Sequence, residues 1–267
     1  MVNYYGGDVR RHLFARANRA TAFVFVINVF DLIGKLGLEF FTKILDRLEL
    51  SRYHQFIFKE DRWCYAVAHA IKKILLASYL DEELAGIRFK NNPYGKPEVF
   101  KAIDLDVSLK FNISHSSGCV AIVLSDTLEC GLDIEKVRCA SDLVGVMNNV
   151  FSAAEIEHVM TSEGESRDRL FFHYWTLKEA YAKARGFGFS LDFKAFGFRV
   201  SPEGSVTLDF DNIVGVEPWS FDSFSIANSH VLSIAIMGSN IDIHTRYLTD
   251  DVVLGLLRGV TNRALSI

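Results

Sequence analysis

The amino-acid sequence predicts an α+β fold. Helix-like and strand-like segments occur together in each half of the chain, and three short strands follow one another in its middle, which suggests an antiparallel meander. The length of 267 residues corresponds to between one and two domains, because a domain averages about 150 residues. Length alone leaves open whether the chain forms one large domain or two halves.

The composition is that of a folded protein. Hydrophobic residues make up 49% of the chain and charged residues 23%, which excludes a mainly disordered protein. The 22 phenylalanines can fill a large core. The net charge of -4 disfavours nucleic acid as a partner, because proteins that bind a duplex are more often strongly basic.

The cysteines and the longest apolar run bear on where the protein resides. Cys64, Cys119, Cys130 and Cys139 form neither a C-x-x-C pair nor a zinc-ligand spacing, which favours buried thiols in a reducing cytoplasm. The apolar run at 22–30 is too short to span a bilayer, so we predict a first β-strand there and expect no membrane partner.

Two helical segments and a turn are predicted in the first half. Apolar residues recur at helical spacing over 39–50 and again over 61–75, where Asp61 can cap the second helix. The segment at 91–97, with the sequence NNPYGKP, is a turn by composition.

The hydrophobic period then changes from that of a helix to that of a strand. Apolar and polar residues alternate over 105–113, and strand-like segments follow at 119–124 and 129–137. These are the three consecutive strands of the predicted meander.

The second half again mixes helices with strands. Ser152 and Glu155 have the spacing of a capping box, and a long helix is predicted over 168–185, ended by Gly186 and Gly188. Strand-like segments follow at 196–200, 205–210 and 231–237.

Two acids alternate with apolar residues in the third of the consecutive strands. On a strand, Asp133 and Glu135 face one side and Leu132 and Ile134 the other, so the carboxylates point in parallel, about 7 Å apart at the backbone. Unpaired carboxylates repel each other, and Mg²⁺, which prefers one or two carboxylates together with phosphate oxygens, would remove that repulsion. The alternative is a solvent-facing strand edge with two ordinary acids.

The long helix carries a second acidic group beside a basic one. Glu179 and Lys183 lie one turn apart, and alone they predict an exposed salt-bridged pair. A helix carboxylate added to the two on the strand would, however, complete a metal site. Lys183 could then hold an anion beside the metal.

Two further segments contain groups suited to binding an anion. Ser114 and His115 combine a hydroxyl, an imidazole and backbone N–H groups at a strand end, although His115 can also be explained as a turn residue bonded to backbone. Gly95 permits close approach of a ligand to the backbone and Lys96 offers a cation, although the segment can also be an ordinary tight turn.

Each signal is weak alone, but their order and spacing are specific. The segments concerned are YGKP (94–97), FNISHS (111–116), GLDIE (131–135), FSAAE (151–155) and WTLKEAYAK (175–183). Together they resemble the 4'-phosphopantetheinyl transferases of the surfactin-synthetase-activating type. The resemblance implies an enzyme that transfers the phosphopantetheine arm of its substrate, coenzyme A, to a serine of an acyl, aryl or peptidyl carrier protein and releases adenosine 3',5'-bisphosphate.

The resemblance also implies roles for individual residues. Asp133, Glu135 and Glu179 resemble the Mg²⁺ ligands. Glu179 also resembles the general base for the serine, acting directly or through a metal-bound water. Lys183 resembles the group that stabilises the pyrophosphate and the developing charge on the leaving group. The implied contacts with coenzyme A are Tyr94, Gly95, Lys96 and Pro97 at the adenine end, Ser114 and His115 at the adenosine phosphates, Lys178 as a further phosphate contact, and Arg52, Lys59 and Arg62 as candidates for the 3'-phosphate.

The chain departs from the family pattern at several positions. Cys64 replaces an expected arginine, for which Arg62 could substitute. Ala180 replaces a serine of the surfactin-type enzyme, and the resulting K-E-A sequence resembles the subgroup linked to fatty-acid-like, polyketide and glycolipid pathways. Glu155 matches a family acid, but we favour its explanation as a capping-box residue. The apolar residues of 139–151 fit helix core and a carrier-protein groove equally well.

The fold implied by the resemblance is a monomer of two pseudo-symmetric α+β halves, each a small, mostly antiparallel sheet packed on a long helix. Residues 1–126 would supply the adenosine and phosphate loops, and residues 127–267 the metal-binding strand and the catalytic helix. A core rich in aromatic residues would be shared between the halves. The alternative function is a non-catalytic protein of the same fold that binds coenzyme A or a carrier. An unrelated Mg²⁺-dependent phosphatase or nucleotidyl enzyme would leave the YGKP and SHS segments unexplained.

Overall fold

The computed structural model describes residues 9–15, 20–101, 109–139, 143–187, 191–201, 203–211 and 217–261. Its helices are α1 (Val9–Leu13), α2 (Val29–Leu36), α3 (Leu38–Thr42), α4 (Arg47–Gln55), α5 (Lys59–Leu80), α6 (Leu143–Val150), α7 (Ala153–Met160), α8 (Gly164–Arg185) and α9 (Asp250–Thr261). Its strands are β1 (Thr21–Asn28), β2 (Ile87–Asn91), β3 (Pro97–Lys101), β4 (Lys110–Ser116), β5 (Cys119–Ser125), β6 (Cys130–Lys136), β7 (Phe196–Val200), β8 (Val206–Asp211), β9 (Trp219–Ile226), β10 (His230–Met237) and β11 (Asp242–Tyr247).

The first sheet has the strand order β11-β1-β5-β4. Strand β1 is antiparallel to β5 and parallel to β11, and it confirms the predicted first strand. The 22-residue helix α5 packs on this sheet, since apolar side chains of α5, β1 and β5 share one core. Helix α9 closes the same core with Val252, Val253 and Leu256.

The second sheet has the order β6-β10-β9 and is antiparallel throughout. Helix α8, also of 22 residues, packs on it. A Cβ atom at Gly131 would collide with the backbone at Ala180 and Ala184, so only glycine lets α8 lie directly on β6. The predicted α+β fold, with a long helix on a small sheet in each half, is confirmed.

The two sheets meet through their own core. Small and branched aliphatic side chains of β1 and β5 pack there against Leu132 and Ile134 of β6 and Leu232 and Ile234 of β10. This shared core is aliphatic, and most of the aromatic residues lie in the two cores that surround α5 and α8. The expectation of an aromatic seam is therefore wrong.

The structure corrects three further expectations. Strand β6 does not continue the meander of β4 and β5, because it pairs with β10 in the second sheet. The helix predicted over 39–50 is divided, because the side chain of Asp46 caps a new helix, α4. Helix α5 begins at Lys59, so Asp61 lies in its first turn and does not cap it.

The chain end crosses the predicted boundary between the halves. Although they follow residue 127, β11 and α9 belong to the sheet and core of the first half. The first half is therefore built from both ends of the described chain.

A few expectations concern smaller features. The start of the strand predicted over 105–113 lies outside the described residues, and so does Gly188; the described part of the strand is β4. Cys139 is exposed, whereas the other three cysteines are buried as expected. Among the described helices, we find none that combines the length and the apolar character needed to cross a bilayer.

Candidate active site

Strand β6 presents the two acids as the sequence predicts. Leu132 and Ile134 are fully buried in the core between the sheets, so Asp133 and Glu135 point to the opposite face. Asp133 is only 4% exposed, so it does not lie on an open strand edge. The interpretation of this pair as ordinary surface acids therefore fails for Asp133.

Helix α8 brings a cation to the same face. Nζ of Lys183 lies 2.6 Å from Oδ1 of Asp133 and 3.2 Å from Oγ of Ser114. The close approach of α8 to β6 at Gly131 allows this contact, because Lys183 lies one residue before Ala184, which touches that glycine. The predicted exposed pair of Glu179 with Lys183 is thus replaced by an ion pair between Lys183 and Asp133.

Strand β4 faces β6 with a row of polar side chains. Oγ of Ser114 donates to Oδ1 of Asp133 at 2.7 Å, and Oγ of Ser116 donates to Oε2 of Glu135 at 2.8 Å. Further along, Oδ1 of Asn112 accepts from the backbone N–H of Leu132. Side chains of the first half therefore hold the acidic strand of the second half.

Two residues of this row, Asn112 and Ser116, are missing from the sequence prediction. Their signal was available, because Asn112, Ser114 and Ser116 alternate along one strand and must share one face. His115 lies on the strand between them and so faces the other side. Burial and the positive charge of Lys183 lower the pKa of His115, against the opposing effects of Asp61 and Asp133.

The acids repel one another at this site. Burial and the nearby charges of Asp133 and Glu135 raise the pKa of Glu179, and Lys183 opposes that rise. Burial and Asp133 raise the pKa of Glu135 in the same way. The three carboxylates are therefore close enough to feel one another's charge, and Lys183 alone does not neutralise them.

The donor chemistry at this site fits a hard divalent cation. Oδ2 of Asp133 is buried and has no hydrogen-bond partner among the described residues, and an uncompensated carboxylate oxygen is an acceptable Mg²⁺ ligand. Among all the residues that the structure describes, no three His, Cys, Asp or Glu side chains lie close enough together to form a metal site. The carboxylates thus suit a metal chemically, but they are not arranged around one.

The YGKP segment forms the turn between β2 and β3. Oδ1 of Asn92 accepts the backbone N–H groups of Tyr94 and Lys96 and holds the turn closed. Gly95 adopts a positive φ of 91°, which favours glycine at this position. The ammonium group of Lys96 points inward, to Glu129 at 2.9 Å and to the carbonyl oxygens of Cys130 and Ala184.

A large cavity opens beside this turn. Its volume is about 1140 Å³, and Gly95 and Pro97 lie in its wall. The other lining residues include five cations and two acids: Lys43, Arg52, Lys72, Lys73, Arg88, Asp46 and Glu49. The cavity therefore carries an excess of positive charge next to the turn. Asn112 and Ile113 of β4 also line the cavity. It therefore lies along the strand whose side chains hydrogen-bond to Asp133 and Glu135 of β6.

Comparison with known proteins decides the family. A family model described as 4'-phosphopantetheinyl transferase superfamily matches residues 129–235, and one described as 4'-phosphopantetheinyl transferase, N-terminal, matches residues 35–127. The Bacillus subtilis 4'-phosphopantetheinyl transferase ffp is 30% identical over 159 residues, which cover 60% of this chain and 68% of ffp. The chain belongs to the 4'-phosphopantetheinyl transferase family.

Other relatives agree with this assignment. The 4'-phosphopantetheinyl transferase HetI of Nostoc sp. is 34% identical over 140 residues, which cover 52% of this chain and 59% of HetI. The 4'-phosphopantetheinyl transferase Sfp of Bacillus subtilis is 27% identical over 171 residues, which cover 64% of this chain and 73% of Sfp. The predicted family and enzyme class are therefore confirmed.

In this transferase, Lys178 does not reach the site. Its side chain is fully buried, and Nζ donates to the carbonyl oxygens of Phe193 and Phe196 and pairs with Glu155 at 3.1 Å. A side chain with these partners has no free donor for a phosphate, so the predicted phosphate contact is wrong. Glu155 forms the predicted capping box with Ser152 and also binds Lys178, which the capping-box explanation alone did not include.

The three cations predicted for the 3'-phosphate lie apart in the transferase. Arg52 lines the cavity, Arg62 donates to the carbonyl oxygen of Phe56, and Lys59 lies over the ring of Trp63. Cys64, at the position where the family arginine was expected, is 1% exposed and belongs to the core. Of the four positions, the structure thus places only Arg52 at the cavity.

Helix α6 of the transferase divides its apolar residues between core and surface. Met147 and Phe151, the residue that follows the helix, are buried, whereas Val144 and Val146 are exposed. Each explanation of 139–151 therefore applies to some of its residues. Met147 and Phe151 belong to the core, whereas Val144 and Val146 form an apolar strip on the surface.

Proposed function

We propose that this protein transfers the 4'-phosphopantetheine arm of coenzyme A to a serine of an acyl, aryl or peptidyl carrier protein and releases adenosine 3',5'-bisphosphate. The observation that carries the proposal is the contact of Lys183 and Ser114 with Asp133, beside Glu135 and Glu179, where the two halves meet. Binding of a pyrophosphate requires a basic side chain and carboxylates that can hold a metal ion, and this site has both.

Magnesium is part of the proposal. Asp133, Glu135 and Glu179 would hold it, and the raised pKa values of Glu135 and Glu179 and the unpartnered Oδ2 of Asp133 support this assignment. When bound, the ion would supply positive charge to the pyrophosphate oxygens. The residues of the chain supply the remaining functions.

Glu179 would accept the proton of the attacking serine. The serine oxygen forms a bond to the β-phosphorus of coenzyme A, the bond from that phosphorus to the departing adenosine bisphosphate breaks, and the serine proton passes to the carboxylate. The raised pKa of Glu179 suits this role, because a general base works best when its pKa approaches the working pH. Lys183 would hold a pyrophosphate oxygen while charge develops on the leaving group.

The cavity beside the YGKP turn would accept the adenosine end of coenzyme A. Its positive lining, which includes Arg52, suits a phosphorylated nucleoside, and Gly95 and Pro97 place backbone at its wall. Tyr94 and Lys96 would hold the turn in position, and Ser114 would lie beside the phosphates at Lys183. His115 faces the other side of β4, so it would meet only a phosphate bound on that side. Lys59 and Arg62 remain candidates only if a bound phosphate draws them from their present partners.

Mass spectrometry of carrier proteins tests the proposal. We expect an apo carrier to gain the mass of one phosphopantetheine when mixed with this protein, coenzyme A and Mg²⁺, and to gain none when EDTA replaces Mg²⁺. No gain across a panel of acyl, aryl and peptidyl carriers would contradict the proposal. If calorimetry then showed metal-independent binding of coenzyme A, the non-catalytic alternative would replace it.

We further propose that the enzyme is a cytoplasmic monomer with no nucleic-acid partner. Both halves contribute to one site within one chain, so transfer needs no second copy. Size-exclusion chromatography with light scattering would check the oligomeric state.

A further inference from the structure

A line of hydroxyl groups crosses the interface between α8 and the second sheet, outside the residues used above. Oγ1 of Thr176 lies 2.6 Å from Oγ of Ser233, which lies 2.7 Å from Oγ of Ser223. Nδ1 of His173 lies 2.7 Å from the same Ser223 oxygen. Thr176 and Ser233 are fully buried and Ser223 nearly so, which means that no water replaces these bonds if they break. We call these four residues the hydroxyl chain.

The direction of the hydroxyl chain follows from its buried end. Oγ1 of Thr176 donates to the carbonyl oxygen of Phe172 at 2.7 Å, so its single proton is used there. Ser233 must then donate to Thr176, and Ser223 to Ser233. Ser223 can only accept from His173, which requires a proton on Nδ1 of the imidazole.

The environment of His173 agrees with a neutral ring. Burial and the positive charge of Arg169 lower the pKa of His173 to about 4. At neutral pH the imidazole therefore carries one proton, and the hydroxyl chain places it on Nδ1. Each of the four groups then makes a bond whose direction is fixed by its neighbour.

The hydroxyl chain lies next to the proposed catalytic groups. In the pairing of β10 with β6, Ser233 stands directly opposite Asp133. Thr176 lies three residues before Glu179 and seven before Lys183, so all three lie along one side of α8, within two turns. Apolar packing can slide with little loss, whereas a buried hydrogen bond fixes the distance between its two atoms.

We propose that the hydroxyl chain sets the position of α8 on the sheet, so that Glu179 and Lys183 stand at the correct distance from Asp133. Thr176, Ser233, Ser223 and His173 are thus positioning residues, which act on the substrate through those three groups. The inference rests on the proposed transfer reaction, because the groups positioned are the ones assigned to it.

The test compares pairs of variants that differ in one donor. Thr176→Val removes the hydroxyl and keeps the shape, and Thr176→Ser keeps the hydroxyl. His173→Leu removes the donor at the other end, and His173→Asn places an amide N–H near the position of Nδ1–H. Because His173 is only part-buried, its variants should fold even if Thr176→Val does not.

A loss in kcat with an unchanged KM for coenzyme A is the expected result. At temperatures where each variant is fully folded, we expect Thr176→Val and His173→Leu to lower kcat by at least about tenfold, because small misplacements of reacting groups have large effects on rate. Thr176→Ser and His173→Asn should restore most of the rate. The control is Thr161→Val on α7, which removes a similar hydroxyl-to-carbonyl bond away from the site and should leave kcat unchanged.

Nitrogen NMR of histidine supplies a second readout. In wild type the ring of His173 should show a protonated Nδ1 and an unprotonated Nε2, and Ser223→Ala should abolish that preference. The inference is overturned if folded Thr176→Val and His173→Leu keep the wild-type kcat, or if Nε2 carries the proton. If wild type itself fails to modify any carrier, the proposed function fails and the positioning role with it, whereas active wild type with indifferent variants refutes the positioning role alone.

Discussion

At the scale of single residues, the charge on Glu179 opposes folding. Its pKa is raised by burial and by Asp133 and Glu135, so the folded protein binds this proton more tightly than the unfolded chain does. Its contribution to the free energy of unfolding therefore falls as the pH rises through the folded pKa. Wherever Glu179 is ionised in the absence of metal, its charge destabilises the fold.

Glu179→Gln should therefore separate stability from activity. We expect its free energy of unfolding in urea to equal or exceed that of wild type, and its kcat/KM for carrier modification to fall by at least about 100-fold, the lower range for loss of a general base. The matched control is Glu165→Gln, an exposed acid on the same helix, which should change neither quantity. A Glu179→Gln protein that keeps most of its rate would remove this residue from both assigned roles.

At the scale of helices and strands, one buried ion pair joins three elements. Glu155 on α7 accepts the backbone N–H of Phe198 on β7 and pairs with Lys178 on α8, and both side chains are fully buried. All of their partners lie inside the protein. Removal of one charge would leave the other in a place with no water.

Single and double substitutions of this pair should therefore differ sharply. Lys178→Met should lower the free energy of unfolding by about 3–5 kcal/mol, because it leaves the Glu155 carboxylate uncompensated. Glu155→Gln with Lys178→Met should recover part of that loss, because the amide leaves no uncompensated charge and its oxygen still accepts the backbone N–H of Phe198. Urea denaturation of both variants gives the comparison, and a double variant no more stable than Lys178→Met would show that the uncompensated Glu155 charge is not the source of the loss.

The contact between α4 and α5 depends on a single carboxylate. Glu49 accepts from His69 at 3.0 Å and from Lys72 at 3.1 Å, binds Lys73 through its other oxygen, and closes the cap of α4 at Asp46. These partners outweigh the effect of its burial and hold the pKa of Glu49 well below its usual range. The stabilisation that Glu49 provides is therefore present at neutral pH and is lost as the pH falls below the unfolded pKa of about 4.3.

Acid titration of stability should reveal this contribution. Glu49→Gln should be less stable than wild type at pH 7, and the difference in free energy of unfolding should shrink steadily as the pH falls below about 4. Glu39→Gln, at an exposed acid on α3, should follow the wild-type curve. A difference that stays constant from pH 7 to pH 3 would mean that the Glu49 charge is not the source of the stability.

The helices and strands also show which structural features the sequence patterns can predict and which they cannot. Alternation along 129–137 placed Asp133 and Glu135 on the correct face, because side-chain direction on a strand is a local property. It did not reveal that β6 pairs with β10, about a hundred residues later, since this pairing depends on a core that residues far apart in the chain build together. The burial of Lys178 has no local signal for a similar reason: lysines are almost always exposed, and the sequence does not show that helix α8 is covered at this position.

At the scale of the whole molecule, the two halves share their structure as well as their site. Strand β4 bonds to the acidic strand β6 through Asn112, Ser114 and Ser116, and the aliphatic core between the sheets buries side chains from both halves. The chain end adds β11 and α9 to the first half. The sequence resemblance implied a site between two halves, but the return of the chain end to the first sheet has no local signal in the sequence.

Division of the chain between β5 and β6 should therefore abolish folding of the first half. A fragment of residues 1–127 lacks β11 and α9 and exposes Val24 and Val26, which are buried between the sheets. The buried side chains of α9 each contribute about 1.5–3 kcal/mol, so their loss alone approaches the 5–15 kcal/mol that stabilises a typical domain. We expect fragments 1–127 and 128–267 to show no cooperative thermal transition by circular dichroism when alone, and to regain one, with carrier modification, when expressed together. A cooperative transition in fragment 1–127 alone would show that the first half does not need the chain end or the shared core.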